Sequence, residues 1–321
     1  MSSLPLVERV AARRRVRDWL GDRILLIVTF GASAAAVAVM VLIVYKVVRS
    51  SHLAFGKFGI SFLWGRVWDV NKGVFGALPG LYGTAVTSLI ALILAAPLAL
   101  AIALFLSELA PRAVRGAVGP LVELLAAIPS VVLGLWGILV MGPFVAKHIE
   151  PWLHRWFGFL PIFSGDPSSS GIFVAGLILA IMVVPIVASI CRELFLSVPR
   201  ELEEGALALG STRWEMVRGV VLSSSRPGIA AALILGLGRA LGEAIAVTQV
   251  IGAGWFTHTS LFGPGDTLAS RIAGQYQGAV SNLQVSALFY LAAILLVIGL
   301  VTNLLAQLIV RRYDLQRAGV R

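Results

Sequence analysis

Six apolar runs mark the chain, at residues 24–46, 79–106, 117–146, 171–191, 228–253 and 283–310. A helix needs about 20 apolar residues to cross a bilayer core, and each run reaches that length. The pattern predicts six transmembrane helices in an all-α, polytopic membrane protein. Pro97, Pro129 and Pro185 fall inside three of these runs, and Gly134 and Gly137 follow the second. A proline within a transmembrane helix frees a carbonyl and bends the rod, so three of the six helices are expected to be interrupted.

Composition agrees with the pattern. The 321 residues are 58% hydrophobic and 13% charged, with a mean hydropathy of +0.92, far from a soluble domain. The formal charge of +10 is spread along the connecting segments, which gives no footprint for nucleic acid. A single cysteine, Cys191, excludes an internal disulfide and reads as an inert thiol near the cytoplasmic end of a span.

Charge sets the orientation. A basic arm, residues 1–23, carries Arg9, Arg13, Arg14, Arg15, Arg17 and Arg23 ahead of an uncharged stretch at 24–45. That stretch is longer than a signal-peptide core, so 24–46 reads as a retained first helix that starts inside. Residues 47–78 then form an extracytoplasmic loop, 79–310 a core with the other five helices, and 311–321 a tail. With the start inside, the inner segments hold 17 basic residues and the outer ones 7, which places both termini in the cytoplasm. Trp64, Trp68, Trp152, Trp156 and Trp255 all fall in outer segments, where an interfacial belt belongs. Residues 148–163 read either as connection or as a short helix on the outer surface.

The run at 228–252 holds one charged pair, Arg239 and Glu243, four residues apart near its midpoint. On one continuous helix both would share a face about 6 Å apart along the axis. A charge at membrane depth costs at least about 2.5 kcal/mol, so such residues line polar pathways or pair inside the protein. The structural reading is an intrahelical ion pair that makes the helix insertable. The functional reading is a pathway wall, since leucine at both positions would be the cheaper structural solution. Gly238 and Gly242 have the spacing that admits another helix closely. Thr248 and Gln249, further along the same run, could bond a passing solute or their own neighbours. Arg271, in the outer segment, reads as a side chain that snorkels to headgroups.

The longest inner connection, 192–227, has its own signals. Pro199 suits a first helical turn, and Glu201, Glu203 and Glu204 suit its amino end. Gly210 can stop that helix in the left-handed conformation. Thr212, with Glu215 three residues on, predicts a capping box for a second helix. Residues 199–222 thus predict a helix–turn–helix with apolar edges at Ala206, Leu207 and Leu209, and at Trp214, Met216 and Val217. Spacing leaves two readings open: helices resting on lipid headgroups, or a docking element for a soluble partner.

The run Glu204-Gly205-Ala206, then Gly210, then Val220-Val221-Leu222, resembles the cytoplasmic "EAA" loop of ABC importer permeases. Gly205, Val220 and Ser223 stand where that pattern has Ala, Ile and Pro, and the missing proline predicts a less sharply ended second helix. In that family the element sits in a groove on an ATPase subunit, which implies coupling roles for Glu204, Gly205, Ala206, Gly210 and Trp214. The stretches 84–111 (TAVTSLIALILAAPLALAIALFLSELAP), 128–137 (IPSVVLGLWG) and 236–252 (GLGRALGEAIAVTQVIG) resemble phosphate-import permeases of the PstC type. Ala244 departs from a Thr that is frequent there. The resemblance implies the ABC importer permease fold in a bacterial inner membrane and a route for inorganic phosphate past Arg239 and Glu243. It also implies a second permease of the PstA type, two ATPase subunits that hold ATP and Mg, and an extracytoplasmic phosphate-binding protein. Arginine suits a tetrahedral oxyanion, with five donors in a planar fork.

No G-x-x-x-x-G-K-[ST] occurs, so this chain carries no P-loop, and neither a metal-ligand cluster nor a catalytic triad is apparent among its four histidines. Three alternatives stay open on the residues alone. They are a permease for sulfate or molybdate, a transporter that works without ATP, and a phosphate-sensing membrane scaffold.

Overall fold

The computed structural model describes residues 6–317 apart from residue 258, with side chains described within 22–308. Residues 1–5 of the arm and 318–321 of the tail lie outside the described residues. Among the described residues, six helices are long and apolar enough to cross a membrane. The first, α1, is one 45-residue rod, Leu6–Ser50, about 68 Å long at 1.5 Å per residue. Residues 6–23 of the arm and the first span are therefore one helix without a break. This rod is one compact unit, and the chain from Ser51 onward is another.

The second unit opens with a folded cap where a loop was expected at 47–78. Helix α2 (His52–Phe58) leads through a tight turn to the two-residue strands β1 (Trp68–Asp69) and β2 (Val74–Phe75), paired antiparallel. Aromatics make this cap: Phe62 stacks on Tyr290 at 4.5 Å, and the Tyr290 hydroxyl donates to the Gly59 carbonyl.

Helices α3 (Leu78–Leu109) and, further along, α6 (Ile172–Leu196) form the spine of the bundle. Ala91, Ala95, Ala99 and Ala103 recur every fourth residue and are fully buried, a small-residue stripe along one face of α3. Gly176 of α6 lies so near Ile90 that an added Cβ would stand 2.6 Å from it. Small residues let two helices approach this closely, which is how bundles pack in lipid. Pro97 and Pro185 sit within these two helices.

Two of the six apolar runs are built differently from the expectation. The run at 117–146 is not one helix. Helix α4 (Arg112–Ala126) stops, the chain turns, and α5 starts afresh as Ser130–Phe157. Pro129 stands at that start with extended backbone, φ −58° and ψ 135°. It has no N–H to give and keeps the preceding residue out of helical geometry, so it separates two helices where an internal bend was predicted. The rod of α5 continues to Phe157, so the aromatic segment is no separate surface helix. After α6, helix α7 (Arg200–Ala208) leads to α8 (Arg213–Gly242), which ends inside the fifth run. A short helix α9 (Ile245–Val250) follows, then α10 (Leu268–Gln275) and the last span, α11 (Asn282–Arg317).

The two breaks are neighbours. An added Cβ on Gly134 of α5 would meet Ala246 of α9 at 2.8 Å, and one on Gly137 would meet Val250 at 2.8 Å. Irregular backbone at membrane depth is tolerated where protein buries it or where it borders a cavity.

Candidate functional site

Depth comes first. Gly236 of α8 packs on Val183 and Val187, with an added Cβ only 2.8 Å from each. Those two valines lie at the middle of the 25-residue helix α6. Arg239 is one turn further along α8, so it sits close to halfway through the span. It occupies the last turn of α8, not the midpoint of a continuous helix.

Glu243 makes the break. Its backbone is extended, φ −71° and ψ 117°, so the helix cannot continue through it. Its Oε1 accepts from the Ala246 N–H at 3.3 Å, and its Oε2 lies 3.9 Å from Nη2 of Arg239. The first contact satisfies a donor in the opening turn of α9. The second is longer than a hydrogen bond, so the guanidinium and carboxylate face each other without closing into a bidentate pair. The Arg239 side chain is 42% exposed and that of Glu243 only 9%. The cation is thus half-exposed at the surface of the chain, while the carboxylate at its base is largely buried. Gly238 and Gly242 flank it, and an added Cβ on either would meet nothing within 4 Å. Among the described residues no other helix packs on these two glycines.

Thr248 and Gln249 are not on the same helix as Arg239, because the break puts them on α9. The Thr248 hydroxyl donates to the Ala244 carbonyl at 2.6 Å, with a longer approach to the Ser270 carbonyl at 3.4 Å. Oε1 of Gln249 is buried without a hydrogen-bond partner, close to where a Cβ on Gly134 would stand. Both side chains serve the packing of α9 against α10 and α5. No described contact joins either to Arg239 or Glu243.

Ahead of the fifth span, α7 and the start of α8 form the expected helix–turn–helix. Glu201 and Glu203 lie in the first turn of α7, with Pro199 just ahead as the capping residue. Gly210 takes φ +87°, which glycine adopts without strain. The predicted capping box is present: Thr212 N–H donates to Glu215 Oε2 at 2.8 Å, and Glu215 N–H donates to Thr212 Oγ1 at 3.3 Å. The second helix does not end at Ser223 but runs on, through a π-helical stretch at Val217–Val221, as the fifth span that carries Arg239. Glu204, Gly205 and Gly210 are exposed, and Ala206 leans on the core. Leu209 and Trp214 are 90% and 63% exposed, whereas Met216 and Val217 are buried and leave the expected apolar edge. Glu203 is half-buried, and burial together with the Glu108 and Glu204 carboxylates raises its pKa.

One cluster was read from the sequence only as an outer segment with a snorkelling arginine. Arg271 is buried rather than snorkelling: its Nε lies 2.7 Å from Asp266 Oδ2, and its guanidinium stacks 4.2 Å from the Trp255 ring. Asp266 also accepts from the Thr267 N–H and from the Ser270 hydroxyl. Burial pushes the Asp266 carboxyl above its usual range against the pull of Arg271, and pushes the Arg271 guanidinium down against that of Asp266. The segment is tied to the bundle where Leu268 N–H donates to Thr84 Oγ1 at 3.0 Å. The one legible signal was Thr267 with Ser270 three residues later, a capping box that opens α10.

Residues 99–315 match the family described as "binding-protein-dependent transport system inner membrane component". The chain belongs to that family. This inner membrane component is 44% identical, over 84% of its length, to a Pasteurella multocida protein named "Phosphate transport system permease protein PstC", covering 85% of that relative. A Xylella fastidiosa protein of the same name is 39% identical, over 93% of both chains. Among solved structures, a bacterial alginate ABC transporter in complex with an alginate-bound periplasmic protein shares its fold. The TM-score is 0.58 at 20% identity, over 94% of this chain and 96% of that one. A MetNI methionine ABC transporter in an inward-facing conformation gives 0.53 at 19% identity, over 73% and 94%. The chain is thus a multi-pass membrane permease with the ABC importer fold.

Proposed function

We propose that this chain is the permease subunit of an ATP-driven importer of inorganic phosphate and forms half of the route through the membrane. The observation that carries this reading is the half-exposed cationic side chain of Arg239 at a helix break near mid-span, beside Gly238 and Gly242, where an added Cβ would meet nothing. A fixed guanidinium attracts an oxyanion into a low-dielectric region, and a single one does so without trapping it, as release requires. Relatives named as phosphate permeases across most of the chain support phosphate over sulfate or molybdate.

The second permease, of the PstA type, would complete the route opposite Arg239. Two ATPase subunits would hold ATP and Mg and dock on Glu204, Gly205, Ala206, Gly210 and Trp214. An extracytoplasmic binding protein would deliver phosphate, and both termini of the permease would lie in the cytoplasm. Because the second helix of the docking element, from Arg213, is continuous with α8, movement of that element would be transmitted along α8 towards Arg239. That continuity favours ATP coupling over an uncoupled transporter or a sensing scaffold. The test is initial phosphate uptake by Arg239→Gln at matched membrane expression. Loss of uptake is expected, and a wild-type rate refutes the reading.

A further inference from the structure

We infer that Glu243 is a selectivity element, one that admits oxyanions carrying a proton and disfavours those without one. The inference rests on the reading of Arg239 as part of the phosphate route and goes beyond it by naming what separates phosphate from its rivals. The carboxylate is oriented, not free. Ala246 N–H engages Oε1, which turns Oε2 towards Arg239, and the 3.9 Å gap leaves both groups able to bond a third partner. The bare backbone at Gly238 and Gly242 leaves room for a tetrahedral ion beside the pair.

An anion there meets five donors on the guanidinium and an acceptor-only carboxylate at its base. Phosphate and arsenate keep at least one hydroxyl at neutral pH. They can accept from Arg239 and donate to Glu243 at the same time. Sulfate and molybdate carry no proton there, so an ion bonded to Arg239 would press a lone pair against Oε2. Loss of one charge-assisted hydrogen bond with a like charge in its place corresponds to about tenfold or more in binding.

The test is competition against radiolabelled phosphate on the assembled transporter in nanodiscs, without the binding protein, so that upstream selection does not mask the permease. The competitors are arsenate, sulfate, molybdate and monofluorophosphate, a tetrahedral dianion shaped like phosphate without its hydroxyl. The wild-type complex should bind arsenate like phosphate, and sulfate and monofluorophosphate at least about tenfold more weakly. Glu243→Gln keeps a carbonyl for Ala246 N–H but puts a donor in place of Oε2, so the gap to sulfate should shrink to within about threefold. Wild-type binding of monofluorophosphate as tight as that of phosphate overturns the inference without need of a variant. So does a Glu243→Gln complex that binds phosphate and still excludes sulfate. Arg239→Gln should weaken every anion together; if phosphate binding survives it unchanged, the underlying pathway reading has failed instead. Absence of competable phosphate binding at millimolar phosphate in the wild type overturns both.

Discussion

Gly134→Ala is the sharpest probe of how the half-helix α9 is held. The added methyl would stand 2.8 Å from the Ala246 Cα and 2.7 Å from Gln249 Oε1. The first distance is about 0.7 Å short of an ordinary carbon contact of ~3.5 Å. Gln249 can swing its amide away, but Ala246 offers backbone, so α9 itself must move. Alanine favours the helix over glycine by roughly 1 kcal/mol, while overpacking costs about 1–3 kcal/mol. The net change in stability is therefore small, at most about 2 kcal/mol of loss.

The functional change should be larger. The Glu243–Ala246 bond, already 3.3 Å, loosens as α9 moves, and the carboxylate loses its orientation towards Arg239. Displacements near 1 Å degrade positioned groups by up to about a hundredfold, so a drop in initial phosphate uptake of roughly tenfold is expected. Thermal unfolding of the purified complex and uptake at matched membrane levels separate the two effects. Gly116→Ala in α4, where an added Cβ meets nothing within 4 Å, serves as the control and should leave both unchanged or slightly raise stability. Wild-type uptake and stability in Gly134→Ala would show that the α5–α9 crossing is not as close as described, and the argument for a rigid break would fail.

Arg271→Met should destabilise the complex by about 3–5 kcal/mol, because it strands the buried Asp266 carboxylate; Asp266→Leu in the same chain should restore most of that in thermal unfolding. Thr212→Ala removes the cap that closes the cytoplasmic turn, at about 1 kcal/mol. It should lower ATP-driven uptake while phosphate binding at Arg239 is preserved in the nanodisc assay. Glu203→Gln should stabilise the complex, and more so at high pH. The raised pKa of Glu203 means that the native state holds its proton more tightly than the unfolded chain does. Its favourable contribution is therefore present at low pH and lost as pH rises through the raised value. The gain in Tm over wild type should be wider near about pH 8 than near about pH 5, and a gain independent of pH would refute the carboxylate crowding.

The six spans and the cytoplasmic turn were legible because each rests on local rules. Apolar length marks a crossing, and Thr212 with Glu215 satisfies backbone donors whatever surrounds them. Pro129 was legible as an interruption but not as a full stop, since both outcomes share the same local chemistry and the packing of α5 on α9 decides between them. Arg239 stood out because a charge in an apolar run is a local anomaly. Arg271 did not, because a charge in an outer segment is unremarkable until that segment folds inward onto Thr84 and Trp255.

The break at Glu243 shows most clearly what a linear reading misses. Gly242 weakens the helix just ahead of the break, but glutamate is a good helix former and the apolar pattern runs through it, so propensity alone does not predict a stop. The break falls where Gly242 and the extended backbone of Glu243 end α8, and two glycines on another segment, Gly134 and Gly137, let α9 lie closely against α5 beyond it. The free N–H at the start of α9 then finds its acceptor in the Glu243 carboxylate. On this account the residue that faces the cation is also the one that holds the break open, so its two roles separate only by substitution. Glu243→Gln keeps the acceptor and changes the charge, whereas Glu243→Ala removes both. If the alanine variant assembles and binds anions no differently from the glutamine variant, the cap contributes nothing and the break is held by the glycine crossing alone.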